Sequence, residues 1–338
     1  MFKGNKILIV TLSALILGLS GFKAGGQNID ALGSYSPYSV FGIGRMAYDG
    51  TAYNQAMGGI GIGMRDNGYI NYTNPAAITA RDTLAFMLDF GINQQNLYTN
   101  DNVTKAAYNV FNMQNVALTF PIYKKSAFIV GIAPFSNVGY KFLSTETDPD
   151  IVSQIGDVKY QKFGTGSIYQ LFFGGAVMLF DRISIGAEGI YYFGYINKHN
   201  DILFNSSSLY NTISTGWDYK VHCFSGKFGL QYIQPIARNN SQIVIGGTYR
   251  IGNSLKGDVA KYAFSAADTV LYSGGGHTSM DIADEFGVGV SYRVNDKWAV
   301  GADFIQQNWR GSSFPDNSMW SNFSAENARY YRAGFEIT

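Results

Sequence analysis

A two-residue alternation of apolar and polar side chains runs from Thr83 to the end of the chain, and it restricts the possible folds. In the first stretch the apolar set is Leu84, Phe86, Leu88, Phe90 and Ile92, alternating with Ala85, Met87, Asp89, Gly91 and Asn93. The pattern recurs at 116–120, 128–132, 171–177, 183–193, 224–232, 243–251, 286–293, 298–304 and 331–337. Because successive side chains of a strand point to opposite faces, the pattern predicts ten β-strands, each with one apolar face.

Composition indicates that the apolar faces meet lipid. Charged residues make up 14% of the chain, against roughly 25% in soluble domains, while aromatic residues reach 15%. The mean hydropathy is −0.04, and beyond the first 20 residues there is no apolar run of the length that a membrane helix needs. These features are typical of a transmembrane antiparallel β-barrel. A net charge of +1 gives no reason to expect a nucleic-acid partner.

The connections between the predicted strands alternate in length. Short connections fall at 124–125, 181–182, 235–241 and 295–296, and long polar ones at 98–110, 142–163, 199–215, 254–282 and 310–325. Short periplasmic turns and long extracellular loops characterise bacterial outer-membrane barrels. The predicted location is therefore the bacterial outer membrane, where the barrel contacts outer-membrane lipid. The long extracellular loops are the expected place for a protein partner.

The N-terminus has the form of a secretory signal peptide over residues 1–26. Lys3 and Lys6 precede an apolar core from Ile7 to Leu19, and Ala24-Gly25-Gly26 provides the small residues for cleavage before Gln27. The alternative is a single anchoring helix. The short apolar core, which ends in glycines, favours the signal peptide.

Residues 27–82 are rich in glycine and weakly periodic, with Gly58, Gly59, Gly61 and Gly63 in one short stretch. This density is too high for a helix interior, and no helical pattern follows, so a dinucleotide-binding loop is excluded. Compact small-residue backbone of this kind predicts a plug inside the barrel. The domain organisation is therefore a signal peptide (1–26), a hatch or plug (27–82) and a barrel (83–338).

Charged residues on the predicted inner face are of both signs. They are Lys227, Arg250, Arg293 and Arg332 against Asp89, Glu188, Asp303 and Glu336. We expect them to pair across the lumen or to bond to the plug rather than to bind a substrate. The single cysteine, Cys223, is expected to be a small packing residue.

Pro134 lies inside the third predicted strand, within Gly131-Ile132-Ala133-Pro134-Phe135. Proline removes a ladder hydrogen bond and is normally confined to edges or bulges. A closed barrel has no edge, so Pro134 predicts a kink or local gap in the wall. The alternative is that the strand already ends at Ala133, and the residues alone leave both open.

Catalysis is not expected. The three histidines, His199, His222 and His277, lack the spacing of a zinc site. No Gly-x-Ser-x-Gly elbow occurs. The sequence therefore predicts neither an enzyme nor a metal or cofactor site.

The signal peptide, the glycine-rich segment ending in Asn74-Pro75-Ala76 and the aromatic-rich strands together resemble the FadL/TodX family of outer-membrane transporters of hydrophobic compounds. Ala133-Pro134-Phe135 resembles that family's kinked third strand. The resemblance implies a 14-stranded barrel with a hatch in the lumen. It also implies passive uptake of hydrophobic molecules such as long-chain fatty acids, with lateral release through the wall.

Under this resemblance Asn74, Pro75 and Ala76 form the hatch turn, and Gly131, Pro134 and Phe135 line the lateral opening. Two departures stand out, since only ten strands are predicted and the chain lacks a terminal aromatic residue. We therefore expect the C-terminal strands to be missing from this sequence. The alternative function is a non-transporting barrel subunit of a protein secretion or outer-membrane assembly complex.

Overall fold

The computed structural model describes most of the chain after the predicted signal peptide. The described ranges are 33–80, 86–101, 104–123, 125–204, 211–236, 241–265, 269–295, 297–314 and 324–337. The predicted signal peptide and the predicted start of the first strand at Leu84 lie outside them. Within these ranges no helix has both the length and the apolar character to cross a membrane.

The described residues form one antiparallel sheet. Its strands are β1 (Arg45–Met46), β2 (Met87–Asp101), β3 (Thr104–Tyr123), β4 (Ser126–Thr145), β5 (Val158–Leu179), β6 (Ile183–Phe204), β7 (Ile213–Ile236), β8 (Ser241–Arg250), β9 (Asn253–Ser265), β10 (Thr269–Ile282), β11 (Asp284–Val294), β12 (Trp298–Asn308) and β13 (Ala328–Ile337). Neighbouring strands follow chain order from β2 to β8, and β11, β12 and β13 complete the path.

In two places, two strands lie end to end and together form one full-length position in the wall, which we call a stave. Both β8 and β9 pair with β7, at Lys227↔Arg250 and His222↔Lys256 respectively. In the same way β10 continues into β11, since β10 pairs with β9 and β11 with β8. The wall therefore has ten staves from β2 to β13, one for each predicted strand. The predicted transmembrane antiparallel barrel is confirmed, and within the described ranges β2 and β13 form the two edges of the sheet.

The apolar and polar residues of the predicted alternation lie on opposite faces of the sheet, as expected. Large apolar side chains are exposed on the outward face of every stave, among them Leu88, Phe120, Phe173, Ile185, Phe224, Ile245, Val288, Val300 and Phe335. Their neighbours in the sequence face inward and are mostly buried. Exposure of so many large apolar side chains is tolerated because the outward face of an outer-membrane barrel meets hydrocarbon over about 25 Å.

Three of the predicted long extracellular loops are wholly or partly strand, so that part of the prediction is wrong. Strands β2 and β3 pair as far as Asp101↔Thr104, and the stretch 254–282 is almost entirely β9 and β10. The connection between β4 and β5 is reduced to residues 146–157, which contain a seven-residue helix, α2 (Pro149–Ile155). Above the bilayer both faces of a strand meet water, so the apolar–polar alternation disappears although the ladder continues. These staves therefore extend the wall beyond the lipid.

The N-terminal segment, defined here as residues 33–80, packs on the inner face of the sheet. It contains a 3-10 helix at Pro37–Val40, strand β1, the short helix α1 (Ala52–Ala56) and a second 3-10 helix at Pro75–Ala80. Ile60, Ile62 and Met64 are fully buried. This segment and the inner faces of the staves together form the core of the molecule.

Candidate functional site

The glycine-rich stretch at 58–64 contacts the wall through its backbone. Gly58 and Gly59 adopt φ angles of 68° and 80°, a region that glycine enters without steric cost. A Cβ on Gly58 would collide with the carbonyl oxygen of Ala333 in β13, and one on Gly63 would lie 2.8 Å from the Val290 nitrogen in β11. These glycines therefore permit close approach to the wall, and they do not mark a flexible region.

Polar side chains of the wall hold this stretch in place. The Asp303 carboxylate oxygen Oδ2 accepts hydrogen bonds from the backbone N–H groups of Gly61 (2.7 Å) and Ile62 (2.9 Å). Gln231 donates to the carbonyl of Ile62 at 3.0 Å, and Ser291 donates to that of Gly63 at 2.7 Å. We call residues 58–64, with the stretch 71–80 that packs beside them, the base of the N-terminal segment.

The Asn74-Pro75-Ala76 turn belongs to the base. Asn74 donates from Nδ2 to the carbonyls of Ile62 (2.8 Å) and Leu230 (3.2 Å), and its Oδ1 accepts from the Ala76 N–H at 3.0 Å. One buried side chain thus joins the glycine stretch, the turn and strand β7. Pro75 begins the second 3-10 helix, where its missing N–H removes no internal hydrogen bond.

Charged side chains add ion pairs between wall and segment, as the sequence predicted. Lys227 pairs with Asp49 at 3.0 Å, and Arg293 pairs with Asp66 at 2.8 Å. Arg332 donates to the Gly59 carbonyl at 3.0 Å. Other pairs lie within the wall: Arg250 pairs with Glu285 of the neighbouring stave at 2.9 Å, and Arg293 also lies 3.6 Å from Glu336 of β13.

The ladder between β3 and β4 ends partway up the wall. Pairing runs from Tyr123↔Ser126 to Val116↔Ile132 and goes no further among the described residues. Strand β4 itself continues through Pro134 to Thr145, paired with β5. The alternative in which this strand ends at Ala133 is therefore wrong. Gly131 lies just below the break, paired with Ala117 and Phe172.

A β-bulge accompanies the proline. The β4–β5 register shifts between Pro134 and Ser136, so Phe135 has no opposite residue in β5. Its side chain lies on the inner face, with its ring 4.5 Å from the ring of Tyr192 and 5.3 Å from the Arg250 guanidinium. A bulge adds one residue to one strand and changes which side chains face inward beyond it; here Phe135 still follows the regular alternation of β4, and Ser136 beside it is buried as well.

The first part of the N-terminal segment, residues 33–47, lies along the unpaired edge of β4. We call it the strap. Its strand β1 pairs with β4 at Arg45↔Asn137 and Met46↔Ser136, and the Ala47 N–H donates to the Phe135 carbonyl at 2.9 Å. On the other side of the seam, Tyr35 of the strap stacks on Tyr108 of β3 at 4.1 Å. The strap thus contacts both strands where they no longer pair with each other.

A cavity of about 650 Å³ lies between the base, the strap and the wall. Gly58, Gly59 and Ile62 of the base, Met46 of the strap, and Pro134 and Phe135 of the wall contribute to its lining. Polar groups line the remainder, among them Thr73, Gln170, Arg250, Glu285 and Arg332. The cavity therefore has an apolar side next to the seam and a polar side across the lumen.

The strap could not be recognised from the sequence pattern. Strand β1 has only two residues, too few for a period to be visible, and its partner edge exists only because the β3–β4 ladder stops. The bulge at Phe135 was equally hidden, although Pro134 marked its position. The glycines and Asn74-Pro75-Ala76 were identified by residue type, but their contacts with particular staves depend on how the whole sheet curls.

Comparison with solved structures identifies the fold. A FadL homologue from Pseudomonas aeruginosa superposes with a TM-score of 0.53 at 14% identity, covering 88% of this chain and 78% of that chain. The CymD monoaromatic hydrocarbon channel gives 0.54 at 15% identity, covering 86% and 80%. At this identity the likeness establishes the fold, which is that of the FadL/TodX-like outer-membrane proteins.

Sequence comparison identifies the family. No curated protein matches the chain. A family model named BamG matches residues 6–338. The fold and the family together confirm the predicted location in the outer membrane of Gram-negative bacteria. The chain belongs to the BamG family.

Proposed function

We propose that the protein is a passive outer-membrane channel for hydrophobic molecules, with long-chain fatty acids as the first compounds to test. In this proposal the N-terminal segment is the hatch, and release is lateral, through the seam between β3 and β4. The observation that carries the proposal is the position of the strap, which fills this seam and lines the cavity at the same point.

The height of the seam supports release into lipid. Six residues separate Ser126 from Ile132, the last β4 residue paired with β3. At about 3.3 Å per residue and the usual tilt of barrel strands, the paired part rises about 15 Å above the periplasmic turn. An apolar belt is about 25 Å tall. The outer part of the belt therefore lacks the β3–β4 ladder, and a ligand leaving there would enter hydrocarbon.

Both the base and the strap are hydrogen-bonded to the wall, but at different places. The base is fixed by Asp303, Gln231, Ser291 and Asn74 to three staves, those of β7, β11 and β12. The strap is held by backbone pairing with the edge of β4 and by side-chain hydrogen bonds, among them Ser136 to the Ile43 carbonyl at 2.8 Å and Lys198 to the Val40 carbonyl at 3.1 Å. Displacement of the strap would open the seam because the strap is the part of the N-terminal segment that occupies it.

Lateral release also fits the energetics of the ligand. Moving an acyl chain through a water-filled pore would expose it to water, at a cost of about 0.8 kcal/mol for each CH₂ group. A side exit from the cavity into the bilayer avoids that exposure. The apolar side of the cavity, with Met46, Pro134 and Phe135, lies next to the exit.

A reversible cross-link between strap and wall tests the proposal. Met46 and Ser136 are directly opposite each other, a spacing within the range that a disulfide spans. We would introduce Met46→Cys and Ser136→Cys in a Cys223→Ala background, which removes the only native thiol. Uptake of a labelled long-chain fatty acid into proteoliposomes should fall to background when the bond forms and recover when it is reduced.

The single-cysteine variants are the matched controls, and both should transport under oxidising conditions. Unchanged uptake by the fully cross-linked double variant would show that the strap does not gate transport. Absence of protein-dependent uptake in every variant, including the wild type, would reject the channel itself.

The second candidate is the non-transporting subunit of a protein secretion or outer-membrane assembly complex. Extension of the wall beyond the lipid favours it, because outward-facing apolar residues such as Leu143 (59% exposed) and Tyr272 (66% exposed) occur on that extension. A partner protein could cover them. Purification from native membranes in mild detergent should then yield a stoichiometric partner, and purification of the chain alone would argue against this role.

A further inference from the structure

A group of basic side chains lies on the outward face of the wall, at the upper edge of the apolar belt. Along β7 the outward residues from Tyr232 to Phe224 are aromatic, aliphatic or glycine, and the next two are His222 and Lys220. Lys256 of β9 lies directly opposite His222. All three basic side chains are exposed. The outward face therefore changes from apolar to basic in a single step.

The position of this step matches the lipid–water boundary on the extracellular side. His222 lies ten residues above Tyr232, and Tyr232 lies near the periplasmic end of β7 at Ile236. At about 3.3 Å per residue and the usual tilt of barrel strands, ten residues rise about 25 Å along the membrane normal, which is the height of an apolar belt. The basic side chains therefore lie at the level where lipid headgroups begin.

Neither lysine of this group forms an ion pair with another residue that the structure describes. Two carboxylates lie on the same face, that of Asp258, directly opposite Lys220, and that of Asp218, two residues further up β7. Asp218 accepts a hydrogen bond from Asn197, and a carboxylate oxygen of Asp258 lies 3.9 Å from Nδ1 of His277. Each carboxylate thus has another neighbour, and both ammonium groups remain available to an external anion.

The strand register places the three basic side chains close enough to share one anion. Directly opposite residues of an antiparallel pair have Cβ atoms about 4.5–5.5 Å apart, and diagonal residues about 7–8 Å, which long side chains can span. His222 and Lys256 are an opposite pair, and Lys220 is diagonal to Lys256. Like charges at this spacing repel each other, so an anion bound between them relieves the repulsion. The imidazole of His222 adds an N–H donor.

Directly below the basic group the outward face is aromatic. Phe224 is 65% exposed, and its ring lies 4.6 Å from the ring of Tyr191 in β6. Tyr191 also contacts Phe193, with ring centroids 5.8 Å apart, and Phe193 lies opposite His222. Acyl chains can pack on this surface while their headgroup lies at the basic group. An anion without acyl chains would gain nothing from these rings.

We propose that this face of the barrel binds a phosphorylated lipid of the outer leaflet. Lys220, His222 and Lys256 hold its phosphate. Its acyl chains pack against Tyr191 and Phe224. A phosphate has the complementary charge and accepts several charge-assisted hydrogen bonds at once, whereas the cation of a zwitterionic headgroup would be repelled by the lysines. The site lies on the outside of the wall and does not depend on the proposed channel function.

Native mass spectrometry of the purified full-length protein in a non-ionic detergent tests the proposal. The probes are dioleoyl phosphatidic acid, dioleoyl phosphatidylcholine and dioleoylglycerol, which share their acyl chains and differ in the head. Phosphatidic acid should bind at least about tenfold more tightly than the other two, since each lysine near a lipid surface contributes about fivefold to the affinity for an anionic lipid.

Variants assign the effect to the basic group. Lys220→Gln and Lys256→Gln should each weaken phosphatidic acid binding about fivefold and leave dioleoylglycerol binding unchanged. Asp258→Asn removes the carboxylate opposite Lys220 and should strengthen phosphatidic acid binding. Lys141→Gln is the matched control, because Lys141 is an exposed lysine of β4 at the level of His199, above the basic group. All four substitutions are on the surface, so each variant should keep the heat-modifiability of the wild type.

Three results would overturn the inference. The first is equal binding of phosphatidic acid and dioleoylglycerol. The second is phosphatidic acid binding that is insensitive to both lysine substitutions, or that Lys141→Gln weakens as much as they do. The third is an affinity for inorganic phosphate equal to that for phosphatidic acid, which would indicate a site for the free anion and not for a lipid. None of these measurements involves uptake, so failure here leaves the proposed channel function standing.

Discussion

The carboxylate of Asp303 is the clearest single anchor of the base, and its removal has a calculable effect. Its Oδ2 accepts the backbone N–H groups of Gly61 and Ile62 at 2.7 and 2.9 Å, and the residue is 4% exposed. Asp303→Ala leaves two buried donors unsatisfied. At about 1–3 kcal/mol for each donor, the local opening free energy of the glycine stretch should fall by about 2–6 kcal/mol.

The lower opening free energy should appear as faster amide hydrogen exchange in the glycine stretch. Since about 1.4 kcal/mol corresponds to a factor of ten in an equilibrium constant, exchange of the peptide covering residues 58–64 should accelerate at least about 30-fold in Asp303→Ala. Hydrogen–deuterium exchange with mass spectrometry on the full chain in detergent measures it. Peptides from the outer strands should exchange as in the wild type.

Two further variants test whether the effect comes from the Asp303 carboxylate itself. Asp303→Asn keeps one acceptor oxygen for the two amides, so its acceleration should be roughly tenfold and clearly smaller than that of alanine. Asp258→Ala removes an exposed carboxylate of β9 and should have no effect on this peptide. If Asp303→Ala exchanges as slowly as the wild type, the carboxylate does not hold the base.

Three other predictions follow from the same contacts. Gly58→Ala should prevent docking of the base, because its Cβ meets the wall backbone at a positive φ, whereas Gly247→Ala, with only open contacts, should fold normally; electrophoretic heat-modifiability distinguishes them. Lys227→Met should cost about 3 kcal/mol by leaving Asp49 without its cation, and adding Asp49→Leu should recover part of the thermal midpoint. In the extracellular connection after β4, hydrogen bonds from a backbone N–H and a tyrosine hydroxyl hold the pKa of Glu146 below its ordinary value. This contribution is present above the ordinary glutamate pKa and is lost as the pH falls through the lowered one, so exchange protection there should decrease in acid and become pH-independent in Glu146→Gln.

The sequence was sufficient for the parts of the fold that depend on one strand at a time. Phe224 and Phe228 alternate with Ser225 and Lys227, and the lipid-facing and inward sets followed directly from that rhythm. It was insufficient where both sides of a strand meet water. The stretch 254–282 was predicted to be a loop because its polar residues hide the strands β9 and β10.

The site was partly predictable for a related reason. Pro134 could be recognised as an interruption because proline has a fixed chemical effect on a ladder. The pairing of Met46 with Ser136 could not, since it depends on the ladder with β3 having stopped four residues earlier, at Ile132.

The contacts of the base also constrain the order of assembly. Gly61 and Ile62 bond to Asp303, and Gly59 bonds to Arg332, across separations of 242, 241 and 273 residues. Contacts so distant in the chain form slowly, because closing such large loops has a high entropic cost. The base must therefore remain undocked until β12 and β13 are in place, so a segment that precedes the long strands in the chain is among the last to reach its final position.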